Sequence, residues 1–294
     1  MIILDGGLGR ELKAMGAPFR QPEWSALALM EGPDFVRVAH DNFIEAGADI
    51  ITTNSYAIVP FHIGEVAFRS RAGELLDLAG QLAKSAANAS PRAVQVAGGI
   101  PPMFGSYQPD KFDAGRAIEM MALFRQHLAP YVDVFMAETH SSIDEARCFL
   151  DAFADCGKPI WLSLTLEDAE PVAGKPMLRS GELLADLLSS LTGNMPAALL
   201  FNCSQPEVMD DAVRTVVMHI ANPPQIGVLA NAFPLMKKDY TGANESLHEL
   251  RGDITPQAYL DFAQQWAASG ATMIGGCCGI SPEHLKLIKA RLSG

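Results

Sequence analysis

The chain has 294 residues, of which 49% are hydrophobic and 19% charged, so a sizeable core can be buried and disorder is not expected. A formal net charge of −12 argues against nucleic acid as a partner. No run of about 18 apolar residues offers a membrane span, and the Met1-Ile2-Ile3-Leu4-Asp5 start lacks the basic region of a signal peptide, so a cytoplasmic protein is expected. Five cysteines, an odd count, fit reduced thiols engaged in metal binding or catalysis better than a disulfide framework.

In chain order, residues 2–4 read as a short apolar strand followed by Asp5-Gly6-Gly7. Pro33 can open a helix whose Val36, Ala39 and Phe43 share a face, and a strand at 50–53 then ends on Asn54. Residues 57–71 read as a long loop, 73–88 as a helix, 94–97 as a strand, 100–113 as a second long loop and 116–128 as a helix. A strand at 132–137 runs into Glu138, and Ser142 with Glu145 makes a capping box for the next helix. Strand 160–164, helix 182–191 and strand 198–201 lead to Cys203 and a second capping box, Ser204 with Glu207. Strand 226–230 ends at Asn231, where a third long loop, 231–253, begins. Thr255-Pro256 and Ser281-Pro282 are N-cap and first-turn pairs on either side of a strand at 272–274.

Eight short apolar strands, each followed by helical sequence, predict a single (β/α)₈ barrel. An open doubly wound sheet accommodates the same alternation. In the barrel, Asp5, Asn54, Glu138, Cys203, Asn231 and the Cys277-Cys278 pair all fall at C-terminal strand ends and converge on one rim, where such barrels place their sites.

Cys203, Cys277 and Cys278 offer three sulfur ligands with a fourth position open, the arrangement of a catalytic zinc site. Each precedes a helix N-terminus, which favours thiolate. The same residues also read as small buried side chains in tight turns. Cys148 and Cys156 fall in or after helical sequence and read as core residues. Gly275-Gly276 and Gly279 either let backbone approach a metal or form a phosphate cradle. Glu138 suits a substrate ammonium or a base, or is an ordinary exposed carboxylate, and Asp5 poses the same choice. His140 lies nearest the rim and is the candidate fourth ligand of a closed, non-catalytic zinc site. Trp24 and Tyr56 read as packing residues unless the substrate is a cation, which aromatic faces attract.

Asp5-Gly6-Gly7, Thr52-Thr53-Asn54-Ser55-Tyr56, Glu138-Thr139, Asn202-Cys203 and Gly275-Gly276-Cys277-Cys278-Gly279 resemble the homocysteine S-methyltransferase family in order and spacing. The resemblance implies one homocysteine-binding barrel domain over 1–294, with Zn2+ held by Cys203, Cys277 and Cys278. It also implies that Glu138 binds the substrate amino group, while Asp5 and the amides around Gly6 and Thr52 orient the amino-acid end. Trp24-Ser25-Ala26 and Ala230-Asn231-Ala232 look most like the short members that take a methyl group from S-methylmethionine or S-adenosylmethionine. Related branches use betaine, and a different thiol or selenol acceptor fits the same chemistry. Leu200-Phe201 and Pro101-Pro102-Met103-Phe104-Gly105 depart from the family pattern. The oligomeric state is not legible in the sequence.

Overall fold

The computed structural model describes residues 1–191, 193–235 and 249–292. Strand β1 (Ile2–Ile3) precedes helices α1 (Leu8–Ala14), α2 (Ser25–Glu31) and α3 (Pro33–Ala46). Strand β2 (Ile50–Thr52) precedes α4 (Pro60–Ala89), β3 (Gln95–Ile100) precedes α5 (Ala114–Leu128), and β4 (Val134–His140) precedes α6 (Ile143–Phe153). Then come β5 (Ile160–Leu164) with α7 (Leu184–Ser190), and β6 (Ala198–Asn202) with α8 (Pro206–His219). The chain ends with β7 (Gln225–Leu229) and α9 (Pro256–Ser269), then β8 (Met273–Ile274) and α10 (Pro282–Leu292).

All eight strands are parallel neighbours in the order β1-β8-β7-β6-β5-β4-β3-β2. The circle closes between β1 and β2 through a parallel bridge from Leu4 to Ile50 and a 3.0 Å bond from the Asp5 amide to the Ile50 carbonyl. The result is the predicted (β/α)₈ barrel. At the opposite end of this seam sits Asp49, whose carboxylate accepts from the Ile3 amide (2.9 Å), Arg92 Nη1 (3.2 Å) and Lys289 Nζ (2.8 Å).

Alternation along each strand sorts the core into two clusters. Leu4, Ile50, Ala97, Val134, Met136, Trp161, Ala198, Leu200, Leu229 and Met273 fill the barrel interior. Their outward neighbours, among them Ile51, Phe135, Leu199 and Ile274, join the helices in the larger outer cluster.

Two sequence expectations are corrected here. Residues 57–71 are mostly helix, because α4 begins at Pro60 and continues past Gly64, whose φ of 78° and ψ of 155° break the helix locally. That glycine and the preceding proline are what made the segment read as loop. The Ser204–Glu207 capping box does not form. Gln205 occupies the cap, Ser204 Oγ instead accepts from the Leu166 amide at 2.7 Å, and Glu207 pairs with Arg251 at 2.7 Å. Ser142 and Thr255 do cap their helices, accepting from the Glu145 and Ala258 amides at 3.2 Å each. The third predicted loop, 231–253, lies outside the described residues over 236–248.

Replacing Asp49 leaves the Ile3 amide without its acceptor and removes the anion that Arg92 and Lys289 share at the seam. Asp49→Ala is expected to cost about 1–3 kcal/mol, the penalty of an orphaned donor, read as a lower urea midpoint at unchanged slope.

Candidate metal and substrate site

Alternation also carries side chains upward from the packed interior to the rim. On β4, Val134 and Met136 face inward and the next inward position is Glu138; on β6, Ala198 and Leu200 are followed by Asn202. With the segments after β1, β2 and β8 they line a cavity of about 150 Å³ at the C-terminal ends of the strands. Asp5, Gly6, Trp24, Thr52, Asn54, Tyr56, Glu138, Cys203, Cys277 and Cys278 all line it. Asn231 is not among the lining residues. It is buried, and its Oδ1 accepts from the Phe233 amide at 3.2 Å, so it shapes the turn after β7.

The three sulfurs of Cys203, Cys277 and Cys278 lie within 4.8 Å of one another, a cluster that can hold a metal ion. Tetrahedral geometry with bonds of about 2.3 Å separates sulfurs by about 3.8 Å, so the trio fits a thiolate-preferring metal. Cys203 and Cys277 are joined as a disulfide with Cα atoms 5.6 Å apart, and Cys278 keeps a free thiol. The sequence reading expects reduced thiols throughout; gathering sulfurs around one point also brings two of them within bonding reach. Burial pushes the Cys278 thiol up to about 11, against the opposing pull of the Arg10 charge. Cys148 and Cys156 pack against the core away from this cluster.

Close backbone approach explains the glycines. A side chain on Gly7 would meet the Cys277 carbonyl oxygen at 2.5 Å and Cys278 Cα at 3.0 Å, so the loops after β1 and β8 touch only because Gly7 has none. The phosphate-cradle reading loses three of its donors. The amides of Gly275, Gly276 and Cys277 are already donated to the carbonyls of Val228, Asp5 and Ala230, at 2.9 Å each.

Four non-glycine residues among those described have positive φ: Trp24 (53°), Tyr107 (63°), Thr139 (60°) and Cys203 (50°). All four line the cavity. Such conformations cost on the order of 1–3 kcal/mol each and persist where the surroundings impose them. Part of that imposition is mutual. The Thr139 amide donates to Asn202 Oδ1 at 3.0 Å, and Asn202 Nδ2 donates back to Thr139 Oγ1 at 2.8 Å.

The same cavity holds two carboxyl groups, those of Asp5 and Glu138. Asp5 accepts from the Thr52 amide (2.7 Å) and the Thr52 hydroxyl (3.1 Å), so the Thr52 amide is engaged rather than available to a substrate carboxylate. Glu138 Oε2 is shielded from solvent and has no hydrogen-bond partner. A side chain on Gly99 would collide with that oxygen, so β3 leaves room for it. Burial raises Asp5 to about 7 despite its Thr52 bonds, and burial with the nearby Asp5 charge raises Glu138 to about 8. An unpartnered carboxyl held this way is a receptor for a cation.

The aromatic lining is partly committed. The Arg10 guanidinium lies 5.8 Å from the Trp24 ring centre and 5.3 Å from that of Phe233, and Trp24 also packs on Phe19 at 5.1 Å. Tyr56 Oη shares a 2.6 Å hydrogen bond with Ser106 Oγ. Asn54 Nδ2 donates to the Ser25 carbonyl at 3.1 Å and so anchors α2. His140 is buried edge-on to Phe149 at 5.7 Å and is absent from both cavity and sulfur cluster, which removes it as the fourth ligand. Tyr107, Ser163 and Phe233 line the cavity without having been singled out in the sequence; only the length of the loops read at 100–113 and 231–253 pointed towards Tyr107 and Phe233.

A barrel that gathers three cysteine sulfurs and two buried carboxyls in one rim cavity has the make-up of a thiolate-metal enzyme. The chain belongs to the homocysteine S-methyltransferase family, whose profile matches residues 2–292. It is 26% identical to homocysteine S-methyltransferase 3 of Zea mays, over 99% of this chain and 90% of that one. It is 26% identical to the homocysteine S-methyltransferase of Escherichia coli K12, over 99% and 95%. Selenocysteine methyltransferase of Astragalus bisulcatus is 25% identical over 99% and 92%. Among solved structures, the metallated form of the Escherichia coli homocysteine methyltransferase MmuM superimposes with a TM-score of 0.79 at 25% identity, covering 99% of this chain and 96% of that one.

The raised carboxyls set a pH test. Folded, metal-free protein keeps the Glu138 proton between the ordinary 4.5 and about 8, whereas the unfolded chain loses it, so stability falls as pH rises through that window. Glu138→Gln is expected to match the parent in melting temperature near pH 4.5 and to exceed it at pH 8. A pH-independent difference would contradict this assignment.

Proposed function

We propose that this protein is a zinc-dependent S-methyltransferase that moves a methyl group from a sulfonium donor, S-methylmethionine or S-adenosylmethionine, to the thiol of homocysteine, giving methionine. The observation that carries the reading is the convergence of the Cys203, Cys277 and Cys278 sulfurs within 4.8 Å, in a cavity that also holds the unpartnered Glu138 Oε2. The family match and the metallated relative support it. A site built on thiolates suits the reducing cytoplasm.

Cys203, Cys277 and Cys278 would hold the zinc, which lowers the pKa of a thiol that joins it. A free thiol with a pKa near 8.5 is only a few per cent thiolate at neutral pH, so ionisation is worth about 2 kcal/mol. Positioning for in-line displacement can contribute about 7–11 kcal/mol, and this falls to the chain's own residues. Glu138 takes the substrate ammonium, giving up its proton as it pairs; Asp5, fixed by both Thr52 bonds, keeps the carboxyl pair oriented. Trp24, Tyr56, Tyr107 and Phe233 wall the cavity and exclude water. Arg10 already lies against two of those rings, so Tyr56 is the stronger candidate for contact with a sulfonium.

Reduced protein is expected to bind one zinc per chain and to form methionine from homocysteine and a sulfonium donor in a panel that includes betaine. Cys277→Ser should lose both metal and turnover. Absence of methionine with every donor, from zinc-loaded protein, refutes the activity. Glu138→Ala should raise the KM for homocysteine about 10- to 100-fold, the worth of one charged hydrogen bond, while leaving that of the donor nearly unchanged. The likeness to a selenocysteine methyltransferase favours including selenols among the acceptors tested.

A further inference from the structure

Beside Cys203, just past β6, lies a chain of buried contacts in which Tyr107 also lines the cavity. Tyr107 Oη donates to the Cys203 carbonyl at 3.2 Å, and Thr165 Oγ1 donates to the same oxygen at 3.4 Å. The Arg179 guanidinium lies 4.7 Å from the Tyr107 ring centre. Its Nη1 donates to Asp168 Oδ1 at 2.5 Å, while Nε and Nη2 make no hydrogen bond. Asp168 Oδ2 accepts from the Gln205 amide at 3.0 Å. Arg179 is 8% exposed and Asp168 2%, so the ion pair is shielded from water and held by these partners.

The two ends of this chain grip the backbone on either side of one turn. Tyr107 holds the carbonyl of residue 203, and Asp168 holds the amide of residue 205. Between them Cys203 adopts φ 50°, a conformation that an unclamped cysteine leaves for negative φ. Relaxing that angle reorients Cα–Cβ and carries the sulfur away from Cys277 and Cys278. We propose that Tyr107, Arg179 and Asp168 are positioning residues that hold the Cys203 sulfur in its metal-binding orientation, with Tyr107 as the contact that transmits the buried ion pair to the ligand. The proposal rests on the zinc reading of the three cysteines.

Tyr107→Phe tests it, because the ring and its stacking on Arg179 stay while the shorter of the two bonds to the Cys203 carbonyl goes. Zinc affinity of the reduced, full-length protein is measured by competition with a chromophoric chelator, alongside melting temperatures with and without zinc. Outer partners of metal ligands are worth about 10- to 100-fold in affinity, so a loss of about tenfold is expected. The zinc-free melting temperature should stay close to the parent's while the increment added by zinc shrinks. Parent-like zinc affinity in Tyr107→Phe overturns the proposal, even if the KM for homocysteine rises, since that pattern marks a substrate contact alone. Equal loss of stability with and without zinc overturns it too. If Tyr107→Phe does not fold, Arg179→Lys carries the same measurement: it keeps the charge but removes the flat stacking surface, and unchanged affinity there is equally fatal. Parent protein that captures no zinc would instead remove the zinc reading on which the proposal stands.

Discussion

The structure depends on one closure. Seven of the eight strand contacts are ordinary parallel ladders; the eighth, between β1 and β2, is a single bridge at Leu4 and Ile50 reinforced by side chains. At its lower end Asp49 ties together the Ile3 amide, Arg92 and Lys289, and at its upper end Asp5 takes both donors of Thr52. The loops after β1 and β8 lie against each other because those strands pair, with Gly7 on the backbone of Cys277 and Cys278, and closure on the other side of β1 brings Asp5 to Thr52. The seam therefore supplies the Asp5 and Thr52 side of the candidate site.

That dependence accounts for the unusual electrostatics at the rim. Asp5 serves the seam and also faces the cavity, so its charge is felt by Glu138, which has no hydrogen-bonded partner on Oε2. Two carboxyls raised to about 7 and about 8 are unfavourable for folding at neutral pH and favourable for capturing a cation. The four positive-φ residues around the same cavity follow the same logic: local cost is concentrated where the chain must present side chains to a ligand.

Much of this was legible in the sequence because period and position carry it. Strand 160–164 reads at its observed bounds, and Glu138, expected just past a strand at 132–137, falls inside β4 and still reaches the cavity. The cysteines were legible because Cys203 and the Cys277-Cys278 pair fall at strand ends that only a barrel unites. Less local features were not. Residues 57–71 read as loop because a helix broken at Gly64 has the composition of one. Asn231 sits at a strand end like the true lining residues, yet its side chain turns back on its own backbone, which no spacing reveals. Tyr107, Arg179 and Asp168 are isolated residues in irregular segments, and their partnership exists only in three dimensions.

The bond between Lys289 and Asp49 joins residues 240 positions apart. A ribosome delivers Asp49 long before Lys289, so the nascent polypeptide cannot fasten its cylinder at this point until α10 has been made. Until residues 273–278 have been made, β1 lacks its β8 neighbour and Cys203 lacks both companion sulfurs. The three sulfurs can therefore meet only once Cys278 has been made, and a copy interrupted before Cys277 carries just one of them.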